Sequence, residues 1–184
     1  MWRFEAASIK GLERVLFRDC DSRVSERESE MVRSWEASGR TAHIIRDHPW
    51  HSAAILAGMF GVCNLRGGLA LFGASLEEFL SMHPASFYGV DQLFLVKDVY
   101  PRIRRDALVH DSFFSYEFRK IVPKASTDGS FVGERIYCDG THSLTLRTAR
   151  LRHQRSWVLK FALRLHPFSI VNFLKGRGFL ASNR

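Results

Sequence analysis

The chain has 184 residues, 46% hydrophobic and 25% charged, the balance of one soluble globular domain long enough for a real core. Three cysteines, Cys20, Cys63 and Cys138, are odd in number, widely spaced and without a C-x-x-C pair, which argues against a disulfide framework and suits a reducing cytoplasm. The opening M-W-R-F-E-A has no basic stretch followed by an apolar core, and no run approaches membrane-spanning length, so neither a signal peptide nor a transmembrane helix is expected.

The net charge of +8 is unevenly spread. Residues 141–184 hold nine Lys or Arg and no acid, leaving 18 basic against 19 acidic residues in 1–140. Two segments are therefore expected, a body over 1–140 and a basic tail over 141–184. The tail points to an anionic surface or an acidic partner.

In chain order, Val15, Leu16 and Phe17 suit a short buried strand. Asp19 and Asp21 follow it, one residue apart. If the pleat persists, both acids leave on one face and Cys20 on the other. Two hard oxygen ligands at the carboxyl end of a strand suit Mg2+ or Mn2+. The flanking Arg18 and Arg23 would either meet phosphates or hold the acids in position. A salt-bridged surface turn would look the same from this motif alone.

Ser25 and Glu28 read as a capping box opening a helix to about Ser38, with Gly39 as its stop. Thr41–Arg46 is a second strand, so strand, helix and strand together indicate an α/β fold. His48 and His51 are three apart, but Pro49 speaks against one regular helix carrying both, and an acceptor-facing or structural loop is expected rather than a zinc site. Ala53–Val62 is apolar, with Gly58 and Gly61 either plainly buried or giving close approach to a ligand. Ser75-Leu76-Glu77-Glu78 predicts a helix to about His83. A further helix spans 91 to about Tyr100, ended by Pro101, with Leu93, Val96 and Tyr100 as its apolar face. Ala107–Val109 is a short strand leading to His110-Asp111-Ser112, and Phe131-Val132 another among loops. From Leu144 onward, Trp157, Val158, Phe161, Ala162 and Leu165 alternate with Arg155, Lys160 and Arg164. That pattern, broken at Pro167, fits an interfacial membrane helix or a helix packing on a partner, with peripheral membrane contact through 144–180, or a helix covering the domain's own core.

Five motifs then stand in order: R-D-x-D-S-R (Arg18–Arg23), R-D-H-P-x-H (Arg46–His51), I-L-x-G-M-W/F-G (Ile55–Gly61), D-Q-x-F-L (Asp91–Leu95) and H-D-S (His110–Ser112). Over roughly residues 2–135 this set resembles a bacterial group of GT-A-type nucleotide-sugar glycosyltransferases, and its order is similar to that of the retaining, glycogenin-like enzymes. The resemblance implies a partial GT-A-like, Rossmann-like mixed sheet flanked by helices. It implies Mn2+ or Mg2+ on Asp19, Asp21 and His110, bridging the diphosphate of a nucleotide-sugar donor. Asp91 and Gln92 would lie near the anomeric carbon. Gly58 and Met59 would place backbone against the sugar or its acceptor, a saccharide or glycolipid. Only 18 residues precede Asp19, too few for the βαβ portion that carries the base and ribose pocket in such enzymes. Either a truncated reading frame or fragment with an exposed sheet edge, or a divergent protein that binds its donor differently, is therefore expected.

Phosphatases of the haloacid dehalogenase type also begin with an apolar strand and D-x-D. Their pattern asks for Thr or Val where Arg23 stands, and no later paired acids are visible. The non-enzymatic alternative is an inactive transferase-like domain that binds a membrane or partner through its tail. No nucleic-acid reading module is present among the basic residues. A cytoplasmic protein, peripheral on the inner membrane face, is the expected location.

Overall fold

The computed structural model describes residues 2–48, 51–64, 68–82, 89–124, 126 and 130–141. The proposed 141–184 tail lies outside the described residues save Thr141. The first strand, β1, is Arg14–Arg18, with Val15 and Phe17 buried and Leu16 facing outward, the alternation that a pleat imposes. Its successor α1 spans Glu26–Ser38. Ser25 caps it by accepting the Glu28 N–H, and Gly39 ends it in the left-handed region at φ 65°. Only half of the capping box forms, because the Glu28 carboxylate is turned to Arg18 instead.

Strands β2 (Ala42–Arg46) and β3 (Met59–Cys63) are followed by α2 (Gly68–Met82) and, after further helical turns, by β4 (Ala107–Asp111). The helix expected to start at Ser75 thus begins seven residues earlier, and Ser75 lies inside it. Phe72, Leu76 and Phe79 are all buried at helical spacing, so the apolar period runs upstream of the apparent cap and overrides it.

Helix α3 (Val90–Phe94) widens into a π turn at Leu95–Val99 and resumes as α4 (Tyr100–Ile103), ending in a 3-10 turn at Arg104–Asp106. Pro101 does not terminate the helix as expected. It sits in the first turn of α4, where its missing N–H costs least, and the wider turn before it accommodates the ring. That insertion also rotates the apolar face. Phe94, Leu95, Val99 and Ile103 are buried, while Val96 is exposed. No strand forms at Phe131-Val132. The segment turns there, with the Glu134 N–H donating to the Phe131 carbonyl.

The result is a mixed α/β architecture with a four-stranded sheet in the order β1-β3-β2-β4. β3 runs antiparallel to both β1 and β2, and β2 pairs parallel to β4. Strands β1, β2 and β4 therefore point the same way and end at one edge of the sheet, where β3 begins. One sheet face carries Val15, Phe17, Ala42, Ile44, Phe60, Val62 and Val109 into the main core. Phe4, from the N-terminal 3-10 segment Trp2–Ser8, enters that core against Phe17, Phe60, Phe72 and Phe94. Met31 and Trp35 of α1 cover the other face. Gly61 makes room there, because a Cβ would come 3.0 Å from the indole of Trp35, which stacks on His43. Among the described residues, no helix is long and apolar enough to cross a membrane.

Candidate functional site

In open α/β sheets, ligands bind outside the carboxyl ends of the co-directional strands. At that edge lies a cleft of about 940 Å3. Asp19 from the end of β1, Gly58 and Met59 at the start of β3, and Asp91 and Gln92 of α3 all line it. Five of the nine site residues expected from the sequence are thus brought together, from three motifs. Leu93 and Val96 give the cleft an apolar wall; of the expected core-facing stripe, Leu93 and Tyr100 also pack against the core and only Val96 is exposed.

Asp19 and Gly58 are fitted to each other. A Cβ at Gly58 would overlap the Asp19 carboxyl group, with Oδ1 2.8 Å away and the other atoms nearer. The glycine is needed for approach by a side chain of this same protein. Gln92 ties the wall to the floor, its Nε2 donating to the Ile55 carbonyl at 2.5 Å. The Asp91 carboxylate accepts the Gln92 N–H at 2.8 Å, which is N-terminal helix chemistry.

The two acids of D-x-D do not leave on one face. The strand ends at Arg18 and the chain turns at once, closed by Ser22 Oγ donating to the Asp19 carbonyl at 3.1 Å. Asp19 meets Arg3 at 2.8 Å. Asp21 lies 3.7 Å from Arg135, whose neighbour Ile136 donates its N–H to the Asp21 carbonyl. Both arginines are far from Asp19 in sequence and carry no motif, which is why sequence reading passed over them.

Of the arginines read from the motif, Arg18 is committed elsewhere. Its Nε lies 2.6 Å from the buried Glu28 carboxylate, and its guanidinium also donates to the Gly58 carbonyl. It holds α1 and the start of β3 against β1. Burial raises the Glu28 pKa, and the Arg18 charge opposes that rise. Arg23 is exposed.

His110 is not brought to Asp19 and Asp21. It lies on β4 within the sheet, its Nδ1 2.8 Å from His43 Nε2. The motifs around it bond one another. Arg46, fully buried, pairs with Asp111 at 3.0 Å and with Glu117. Asp47, also buried, meets Arg27, Ser112 Oγ and the Val132 N–H. R-D-H-P-x-H and H-D-S are therefore each other's partners, clamping the carboxyl ends of β2 and β4.

His51, from the loop expected to be either acceptor-facing or structural, lines the cleft. Burial, with His48 and Arg18 close by, pushes its pKa down to about 3, so it is a neutral imidazole at pH 7. Its Nδ1 is buried without a hydrogen-bond partner.

Among the described residues, no three His, Cys, Asp or Glu side chains converge on one point. Of the three ligands expected for a hard dication, only Asp19 lines the cleft, and its carboxylate already meets Arg3. No family model matches this chain, and neither a curated protein nor a solved structure matches it.

Proposed function

We propose that the cleft is the donor site of a metal-dependent glycosyltransferase of GT-A type, transferring sugar from a nucleotide-sugar to a saccharide or glycolipid. The observation that carries this reading is the meeting of Asp19, Gly58, Met59, Asp91 and Gln92 around one cavity. Its volume suits a drug-sized or larger ligand. Asp19 would hold Mn2+ or Mg2+ at the cleft, whereas the turn takes Asp21 to Arg135. The cation would supply Lewis-acid stabilisation of the departing nucleoside diphosphate. Asp91 would stabilise positive charge developing at the anomeric carbon. Gln92, already bonded to Ile55, would keep that acid and the Gly58 floor in register. Leu93 and Val96 would exclude water from one side of the reacting sugar. Contact with the inner membrane face through 144–180 belongs to the same proposal.

A second reading is a domain that binds partners without transferring sugar. It is favoured by the arginine already beside each acid, Arg3 at Asp19 and Arg135 at Asp21. Calorimetric titration of Mn2+ with a panel of nucleoside diphosphates separates the two. The transferase reading expects metal-dependent nucleotide binding that Asp19→Asn abolishes. Folded protein that binds none of the panel would leave the second reading.

A further inference from the structure

After β4 the chain runs through Tyr116-Glu117-Phe118-Arg119-Lys120-Ile121-Val122-Pro123-Lys124. Phe118 is wholly exposed, and Tyr116, Ile121 and Val122 are exposed with it, Val122 at 62%. A phenyl ring gains more from leaving water than almost any other side chain, and here the fold leaves it out.

The backbone beneath this surface is anchored on both sides of Phe118. The Glu117 carboxylate meets the buried Arg46 and accepts the Tyr100 hydroxyl at 2.6 Å. Lys120 Nζ donates to the Phe114 carbonyl at 2.6 Å. Ile121 bonds β4 in both senses, its N–H donating to the Val109 carbonyl at 2.8 Å and its carbonyl accepting the Asp111 N–H at 2.9 Å. Arg27 donates to the Lys124 carbonyl. Phe118 and Arg119 lie on the short span between these anchors, so the ring is presented outward on a fixed backbone.

Charge decides what this surface fits. Asp111 and Glu117 are the acids of residues 107–124, and both are turned to Arg46. The exposed charges are Arg119 and Lys124, so the outer face is apolar and positive. The acid-free segment 141–184, with nine Lys or Arg, brings like charge to it, as does a second copy of a chain of net charge +8. Nucleic acid would match the charge, but Ile121 and Val122 offer no ring on which a base could stack. An anionic bilayer matches both properties: headgroups for the two cations and the acyl boundary for the apolar tips.

We propose that residues 116–124 form a membrane-contact loop of the folded body, which inserts Phe118, Ile121 and Val122 at the surface of an anionic bilayer while Arg119 and Lys124 take headgroup phosphates. This contact is separate from the one proposed for 144–180, and it stands whether or not the cleft is a donor site. The Tyr116 hydroxyl donates to the Ser52 carbonyl, which ties the loop to the segment that lines the cleft at His51.

Sedimentation of the full chain with phosphatidylcholine vesicles, with and without phosphatidylglycerol, tests this. The wild type should bind the anionic vesicles. Phe118→Ser should weaken that binding about tenfold at any salt concentration. Arg119→Gln and Lys124→Gln should each weaken it about fivefold, an effect that high salt removes. Thermal melts should not change, because these side chains face water. In Phe118→Trp, the added indole emission should shift to the blue on vesicles and be quenched by lipids brominated in their acyl chains. Equal binding by the wild type, Phe118→Ser and the two Gln variants would assign the contact to the tail and overturn the loop. So would an unshifted Phe118→Trp emission, or a wild type that ignores both vesicles. Binding to a single-stranded oligonucleotide instead, lost in the same variants, would overturn it in favour of nucleic acid.

Discussion

Acidifying the protein from pH 7 to pH 5 puts the buried histidines under test. His43, His48 and His110 are each 3% exposed or less. Burial pushes their pKa values from 6.5 down to about 3, 4 and 4, with neighbouring His110 adding to the effect at His43. The unfolded chain takes up these protons as pH falls below about 6.5. The folded chain refuses them until pH approaches their lowered values. The stability they allow is therefore complete above about pH 6.5 and is lost as pH falls toward 4 and 3. At pH 5, about 1.5 units below the unfolded value, each imidazole costs about 2 kcal/mol, and the three together about 6. That is comparable to the whole stability of an ordinary domain, about 5–15 kcal/mol.

Urea unfolding at pH 7, 6 and 5 measures this directly. Near pH 5 the unfolding free energy should fall by about 4 kcal/mol per pH unit from these three groups, and His43→Gln should remove about 1.4 of that slope. A midpoint unchanged between pH 7 and pH 5, or an undiminished slope in His43→Gln, would refute the burial of neutral imidazoles.

Two further outcomes follow from the packing at the same edge. Asp111→Ala removes one of the two carboxylates that hold the fully buried Arg46, Glu117 remaining, and should cost about 1.5–3 kcal/mol in a thermal melt. Asp19→Ala, which breaks an exposed pair, should cost under about 1 kcal/mol, and equal losses would contradict the distinction. Gly58→Ala drives a methyl into the Asp19 carboxyl group. The exposed acid can swing away, so stability should fall by only about 1 kcal/mol or less, while calorimetric Mn2+ affinity should drop at least tenfold; unchanged affinity would mean that Asp19 does not need that seat.

Much of the sheet was legible because its signals are local. Val15 and Phe17 alternate as a pleat demands, and Ser25 and Gly39 bracket α1 by chemistry that needs no distant partner. The reading went astray where tertiary packing outvoted a local signal. Ser75 looks like a cap, yet the apolar period of Phe72, Leu76 and Phe79 carries the helix through it. Pro101 looks like a stop, yet a π turn absorbs it and re-aims Val96 from core to cleft. The turn after Arg18 separates Asp19 from Asp21, although the D-x-D spacing alone would align them. Asp91 and Gln92, singled out from the sequence, line the cleft beside Asp19, whereas the partners Arg3 and Arg135 are long-range contacts that no spacing encodes.

The arginines of this protein sort by what it costs to exchange their partners. Arg46 is buried with Asp111, and freeing it would leave a carboxylate unpaired in the interior. Arg18 faces Glu28, itself almost fully buried, with the same consequence. A buried partner left alone costs about 3–5 kcal/mol, more than one phosphate contact returns. Such residues make a rigid frame and cannot also serve a ligand that comes and goes. Arg3 and Arg135 face exposed acids, where exchange costs about 1 kcal/mol or less. Of the motif arginines, Arg18 and Arg46 therefore belong to the frame, while Arg23 stays exposed. The frame explains the placement of Asp19: Arg18 pins the Gly58 carbonyl, Gly58 leaves space for the carboxylate, and Arg3 holds that carboxylate at the cleft mouth.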